Sequence, residues 1–274
     1  MRQSPSLENC TNIMPLTDFQ KQVAKILAKN RSQDSHLAGG AALHYQPNSI
    51  RYSNDLDYFH DSIERVASAF SADEKDLSKT GHDVSIEIKQ PGYIRAQVSR
   101  NRDSTKIEWS HDSDWRFFPV EKNNDLGFIL HPADLAINKV LALAGRNEPR
   151  DFLDTLHVHK NTLSLGALCW AAAGKDPGFT PLSLLDLLRR RGKFQQADFN
   201  RLKLNHAVEL PQLKSDWLQA LAEAQTFIDE RPPEELGCLY LSKHDQKIYA
   251  PRSSDQDYLT HFGRPGGVLP KIIA

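Results

Sequence analysis

Asp55 and Asp57 are separated by one leucine in the run GGAALHYQPNSIRYSNDLDYF, Gly39 to Phe59. Alternate residues of an extended strand point the same way. Both carboxylates therefore aim at one region, while Leu56 and Tyr58 turn to the other side. Two carboxylates that close repel, so a cation belongs between them. Hard divalent ions such as Mg2+ take oxygen ligands and keep positions open for phosphate oxygens, with Mn2+ as a substitute of similar preference. TKIEWS offers a third acid, because Glu108 alternates with Ile107 and Trp109 and can face opposite to that apolar pair. Gly39 and Gly40 lie just upstream. Without side chains, their N–H groups can approach an anion closely, and a helix beginning near Ala41 would turn its positive end to the same place. A metal on the acids and a phosphate on the glycine turn together suit a Mg2+-nucleoside triphosphate.

Such side chains need a sheet to hold them. DLDYF, DVSIEI, YIRAQVS and TKIEWS read as strands, with WRFFPV as a further one beside them. LAGGAALHYQ reads as a short strand, a glycine turn and a helix start, and SIERVASAF as a helix. Ahead of these, LTDFQKQVAKILAKN spaces Phe19, Val23, Ile26 and Leu27 as one face of an amphipathic helix. After His131 the pattern becomes helical. Pro132 suits the first turn of PADLAINKVLALAG, which Gly145 ends. DFLDTLHVHK, LSLGALCWAAA, PLSLLDLLRRR with Thr180 as N-cap, and SDWLQALAEAQTFIDE follow as helices, with Trp170 and Trp217 expected in a core. LGCLYLSKHDQKIYAP reads as a hairpin with a polar turn. The expected fold class is α/β in the α+β sense: a small mixed sheet with flanking helices, then a mainly helical part. The expected division is a leading helix packed on the core over 1–30, the sheet domain over 31–160, and the helical domain with its hairpin-like tail over 161–274.

Composition narrows the partners. Lys and Arg number 34 against 35 Asp and Glu, a net charge of −1, so any site for a polyanion must be local. MRQSPSLENCTN has no apolar core of a secretory leader, and the longest apolar run, LGALCWAAAG, is about half a membrane span. A cytoplasmic location without a membrane partner is expected. Cys10, Cys169 and Cys238 are far apart and form no CxxC pair, which points to reduced thiols rather than a disulfide framework or a cysteine zinc site. The stretch from Lys175 to Lys203 carries Arg189, Arg190, Arg191, Lys193, Arg201 and Lys203 against Asp186 and Asp198. It fits a solvated helix end or a landing site for a polyanionic acceptor such as tRNA. His157 and His159 diverge on a helix and make no metal pair. His60-Asp61 and His111-Asp112 fall at strand ends, whereas the metal dyad of HD-type hydrolases lies on a helix.

The order Gly39, Gly40, Arg51, Ser53, Asp55, Asp57, Phe59, or GG-x(10)-R-x-S-x-D-L-D-x-F, resembles the signature of the polymerase-beta nucleotidyltransferase superfamily. The nearest likeness is to its AbiEii-type branch, toxins of toxin–antitoxin and phage-abortive systems. HPADLAINKVLALAGRNEPRDFLD, with Lys139, Arg146, Arg150, Asp151 and Asp154, is similar to a second block of that branch, and TKIEWSHDSDWRF to a third through Lys106 and Glu108. The blocks span about residues 36–158. Two positions depart from the pattern: the turn is Gly-Gly where Gly-Ser is commoner, and the third acid is Glu where many relatives carry Asp.

The resemblance implies a nucleotidyltransferase core with Mg2+ (Mn2+ as substitute) on Asp55, Asp57 and Glu108. It implies an NTP on Gly39, Gly40, Arg51, Ser53 and Lys139, and Asp151 in support of the site. The implied reaction is attack by an acceptor hydroxyl on the α-phosphate, with pyrophosphate leaving. RNA such as tRNA is the implied acceptor, and a cognate antitoxin protein the implied partner. Transfer of AMP to a protein or small molecule, or an inactive nucleotide- or RNA-binding module, are the alternatives. Helical spacing adds that Leu135, Lys139 and Leu143 share a face, with Asp134 and Asn138 on a polar side away from Lys139. A lysine beside an apolar stripe needs a partner. A triphosphate or the site's acids would serve, and Asp151 or Asp154 could orient Lys139 or Arg150.

Overall fold

The computed structural model describes residues 16–45 and 49–270, leaving Cys10 outside. Helix α1 (Asp18–Leu27) is fixed at its start by a reciprocal cap: Thr17 Oγ1 accepts the Gln20 N–H, and Gln20 Oε1 accepts the Thr17 N–H. β1 (Ser35–Ala38), α2 (Gly39–Leu43), β2 (Asp55–His60) and α3 (Ile63–Lys79) follow. β3 (Asp83–Gln90), β4 (Tyr93–Arg100) and β5 (Asp103–His111) form an antiparallel meander. The short strands β6 (Trp115–Arg116), β7 (Glu121–Asn123) and β8 (Gly127–Ile129) lead into α4 (Pro132–Gly145) and α5 (Pro149–Asn161). Helices α6 (Leu165–Lys175), α7 (Pro181–Arg190), α8 (Gln196–Phe199) and α9 (Leu210–Asp229) precede β9 (Leu239–Ser242), β10 (Tyr258–His261) and β11 (Arg264–Pro265).

Seven strands form one mixed sheet in the order β3-β4-β5-β2-β1-β8-β7. β2 runs parallel to β5 and β1 parallel to β8, and the other neighbours are antiparallel. This is the mixed α/β class expected from the sequence, with β7 and β8 as strands not expected there. β7 and β8 have three residues each, too few to show a period.

The sheet's two faces differ because alternation is strict in β2 and β5. Leu56, Tyr58, Ile107 and Trp109 are fully buried and join Val23 and Leu27 of α1 with Val66 and Phe70 of α3 in one apolar cluster. Each such side chain contributes roughly 1.5–3 kcal/mol by burial. The Trp109 indole N–H donates to Asp73 Oδ2 at 2.7 Å, and the same carboxylate takes the Arg31 guanidinium. A buried polar group thus keeps its partner. A second cluster gathers α4 to α7, α9 and β9 and holds both Trp170 and Trp217, each 4% exposed. Helix α4 belongs to both clusters, Leu135 to the first and Ile137, Val140 and Leu143 to the second. It is therefore anchored on both sides, which sets its polar residues at a fixed distance from the sheet.

Three local expectations change. WRFFPV does not lie beside the sheet strands. Trp115 and Arg116 pair with Pro265 and Arg264, and the Phe117 and Phe118 N–H groups donate to the buried Asp134 carboxylate at 2.8 and 3.1 Å. The tail turns back at its polar stretch, but only a single bridge joins Leu241 to Ile248; the ladder of β9 is made with β10. Helix α2 begins at Gly39 and has five residues, so it carries little of the dipole expected at the glycine turn. Cys169 and Cys238 are free and buried. Among the described residues no helix is long and apolar enough to cross a membrane.

Candidate active site

The parallel pairing of β2 with β5 sets Asp57 opposite Glu108 and Asp55 opposite Lys106. Opposite residues share a face, so the acids Asp55, Asp57 and Glu108 converge. One ligand atom from each lies within 4.8 Å of the others, the sole such group of potential metal ligands among the described residues. They open into a cleft of about 280 Å3 lined also by Gly39, Gly40, Lys139, Arg146 and Arg150.

The three acids are not equivalent. Lys106 Nζ stands 3.1 Å from both Asp55 Oδ2 and Glu108 Oε1. Arg95 Nε donates to Glu108 Oε1 at 3.0 Å, and Arg150 Nη1 is 3.7 Å from Asp55 Oδ2. Burial alone would raise the Asp55 pKa, but Lys106 and Arg150 outweigh it and hold the carboxyl below its ordinary value. Asp57 has no ion pair among the described residues. Burial first, and then the Asp55 charge, push its pKa up to about 7 against the pull of Lys139. Lys139 and Arg150 act on this carboxylate only from beyond ion-pair distance. An all-oxygen donor set in which Asp57 has no ion-pair partner of its own among the described residues fits Mg2+ or Mn2+.

The glycine turn is shaped around Asp57. Gly39 has φ +62°, and a Cβ there would lie 1.9 Å from Asp57 Oδ2, so only glycine fits both the backbone and the space. A Cβ on Gly40 would stand 2.9 Å from Arg51 Nη2. Ser53 Oγ donates to the Asp55 backbone carbonyl at 2.9 Å and so steadies the start of β2.

Asp154, on the first turns of α5, gathers a second charged group. It is fully buried and takes Lys139 Nζ at 2.8 Å, Arg51 Nε and Nη2 at 2.7 and 2.6 Å, and His44 Nε2 at 2.8 Å. Burial would raise the Asp154 pKa, but Lys139 and Arg51 hold it well below the usual carboxylate range. Burial lowers the His44 pKa despite Asp154, so the imidazole is neutral near pH 7 and donates through Nε2. One carboxylate thus faces two cations, and the excess positive charge lies at the cleft wall, which the largely buried Lys139 lines.

The structure brings Gly39, Gly40, Asp55, Asp57, Glu108, Lys139 and Asp151 to one cleft. It separates the two acids of α5. Asp151 accepts from Arg146 Nε at 2.6 Å and Nη2 at 3.1 Å, whereas the partner of Lys139 is Asp154. Arg51 is 5% exposed, its donors taken by Asp154 and the Tyr52 carbonyl. It braces Asp154 from the cleft wall, which it also lines. Nor is Asn138 on a side away from Lys139: both line the cleft, and Asp134 is the residue turned inward. His44 and Arg95 were given no role by sequence reasoning. Arg95 was detectable, since the alternation of YIRAQVS places it opposite Glu108; His44 carried no such signal. His60 lies buried with neither ring nitrogen partnered, and Asp61 holds Arg116, so that pair forms no metal dyad.

A mixed sheet bearing three convergent carboxylates, faced by a helix whose lysine stands on the opposite wall, defines a site suited to phosphoryl chemistry of the nucleotidyltransferase class. The chain belongs to the AbiEii nucleotidyltransferase toxin family: the sequence model described as "Nucleotidyl transferase AbiEii toxin, Type IV TA system" matches residues 25–234. No curated protein matches the sequence. Among solved structures, it is similar to JHP933 from Helicobacter pylori, 17% identical over 78% of this chain and 95% of that one, with a TM-score of 0.46. It is also similar to MenT4, a nucleotidyltransferase toxin from Mycobacterium tuberculosis, 14% identical over 79% of this chain and 83% of that one, with a TM-score of 0.48.

Proposed function

We propose that the chain is a Mg2+-dependent transferase that moves a nucleotidyl group from an NTP to a hydroxyl of RNA, with tRNA as the acceptor class, and that a cognate antitoxin restrains it. The observation that carries this reading is the convergence of Asp55, Asp57 and Glu108 within 4.8 Å beside a cationic wall. These carboxylates would hold the divalent ion, which when bound lowers the pKa of a ligated hydroxyl and neutralises charge on phosphate oxygens.

The remaining work falls to side chains. The acceptor oxygen forms a bond to the α-phosphorus, the bond from that phosphorus to the β-bridging oxygen breaks, and pyrophosphate carries away the electron pair. The acceptor proton passes to solvent or to a cleft carboxylate. Lys139 and Arg150 would balance charge on the triphosphate and its leaving group. Arg150 is suited to this, because its Nε is buried with no hydrogen-bond partner and can donate to a bound anion. Gly39 and Gly40 let a phosphate approach the main chain, and Asp151 holds Arg146 at the rim. Positioning and charge stabilisation account for most of such catalysis.

The RNA acceptor is supported by where the basic run lies. The Lys203 carbonyl accepts the Tyr52 N–H at 2.9 Å, beside Arg51, and Arg191 Nη2 donates to the Ala144 carbonyl at 2.7 Å, at the end of α4. The run thus meets the chain beside Arg51 and at the end of α4, two elements that line the cleft, as a polyanionic strand approaching it would require.

The test is incubation of purified protein and Mg2+ with each of four α-32P-labelled NTPs and total tRNA. Label is expected in tRNA, and Asp57→Ala should abolish it. Label in protein or a small molecule instead would reassign the acceptor. NTP binding without transfer to any acceptor class would overturn the enzymatic reading.

A further inference from the structure

Beyond the acids the cleft runs into an open recess of about 700 Å3 that shares Phe59, Asp112, Asn138, Ala142 and Arg146 with it. Phe59 is the next same-face residue after Asp57 on β2, about 6.7 Å further along the strand, and it lines both cleft and recess. Opposite it, α4 contributes Asn138 and Ala142, and α6 brings Lys175. The Lys175 side chain is only 7% exposed; its Nζ donates to Asn138 Oδ1 at 2.7 Å and stands 3.6 Å from Asp112 Oδ2.

That contact fixes the Asn138 amide. An ammonium can only donate, so it holds the oxygen of the amide and leaves the amino group to the cleft wall. The Asn138 amino group has no hydrogen-bond partner among the described residues. The recess therefore combines an aromatic face, a free amide donor and a carboxylate acceptor, Asp112, with Arg146 at the edge it shares with the cleft.

We propose that this recess receives the nucleobase, stacked on Phe59, with Asn138 as the specificity-determining donor and Lys175 as the residue that positions it. The inference rests on the nucleotidyl-transfer reading above. Stacking on Phe59 is tolerant of base identity, because every base has a π-face. Selection comes from Asn138, because the four bases differ in whether the edge turned to its amino group carries an acceptor or a competing donor. The base is thereby placed on the side of the acids away from Lys106, which leaves the Lys106 side of the cleft to the acceptor.

The test compares binding of the four nucleoside α,β-methylene triphosphates, which resist cleavage between the α and β phosphorus atoms, with binding of inorganic tripolyphosphate. Titration calorimetry is run in Mg2+ on wild type and variants. Phe59→Ala should weaken all four analogues by about tenfold or more, the worth of one base–aromatic stack, and leave tripolyphosphate unchanged. Phe59→Leu, which keeps apolar volume without the ring, should do the same should the alanine variant not fold. Asn138→Ala and Lys175→Met should each narrow the affinity range across the four analogues, and Lys175→Arg should restore it. Unchanged analogue affinities and ranking in Phe59→Leu and Asn138→Ala, or equal losses for tripolyphosphate, would overturn the base subsite while the transferase reading stands. Wild type that binds neither tripolyphosphate nor any analogue would overturn both.

Discussion

Asp57→Asn should make the metal-free protein more stable. In the folded chain the Asp57 pKa is raised from 3.8 to about 7 by burial and the neighbouring Asp55 charge. At pH 8 its ionised form therefore sits about three pKa units, or on the order of 4 kcal/mol, above its cost in water. Asparagine keeps the shape and cannot ionise. Because Lys139 attracts the carboxylate and is lost as a partner, a net gain of about 1–3 kcal/mol is expected at pH 8, or roughly 2–10 °C in Tm at this chain length. The sign follows from the raised pKa: the stability that a protonated Asp57 confers is complete below the unfolded value of 3.8 and is lost as pH rises through about 7. The advantage of the variant should thus shrink towards pH 5, where wild-type Asp57 is itself neutral. Adding Mn2+ should reverse the order, because an ion bound by the native state alone stabilises wild type by about 2.7 kcal/mol at a hundred times its Kd. Thermal unfolding followed by circular dichroism in EDTA at pH 5, 6.5 and 8, then with Mn2+, reads all of this. An Asp57→Asn protein less stable than wild type at pH 8 in EDTA would refute the reasoning.

Three further outcomes follow from the same charges. Asp154→Asn leaves Lys139 and Arg51 buried without their carboxylate and should cost about 3–5 kcal/mol; a chemical-denaturation loss under about 1 kcal/mol would contradict the hub role. Mn2+ affinity, followed by electron paramagnetic resonance, should fall about tenfold per pH unit below about 7, where Asp57 takes up a proton that the ion must displace. An affinity flat from pH 5.5 to 8 would count against Asp57 as a ligand. Gly39→Ala forces a side chain into a left-handed backbone position and onto Asp57 Oδ2. It should lose about 1–3 kcal/mol together with measurable Mn2+ binding, and unaltered Mn2+ binding would show that the turn does not shape the site.

Much of this molecule was legible in short stretches. The alternation of DLDYF and TKIEWS separated the acids from Leu56, Tyr58, Ile107 and Trp109, since the strand period is set by backbone geometry alone. Thr180 caps α7, accepting the Ser183 N–H, and Pro132 opens α4, both as local helix chemistry requires. The motif order was also enough to suggest the family that the sequence model then matched.

Other features depend on partners far away along the chain. Trp115 and Arg116 found their strand in Arg264 and Pro265, and neither segment advertises the other. Asp151 and Asp154 stand one turn apart on α5 and look alike in sequence, yet one holds Arg146 and the other Lys139, Arg51 and His44. The orientation of Asn138 required Lys175 from another helix. Local periodicity tells which way a side chain points relative to its neighbours. What it meets is decided by the packing of α4 between two apolar clusters, and that depends on the burial of the whole chain.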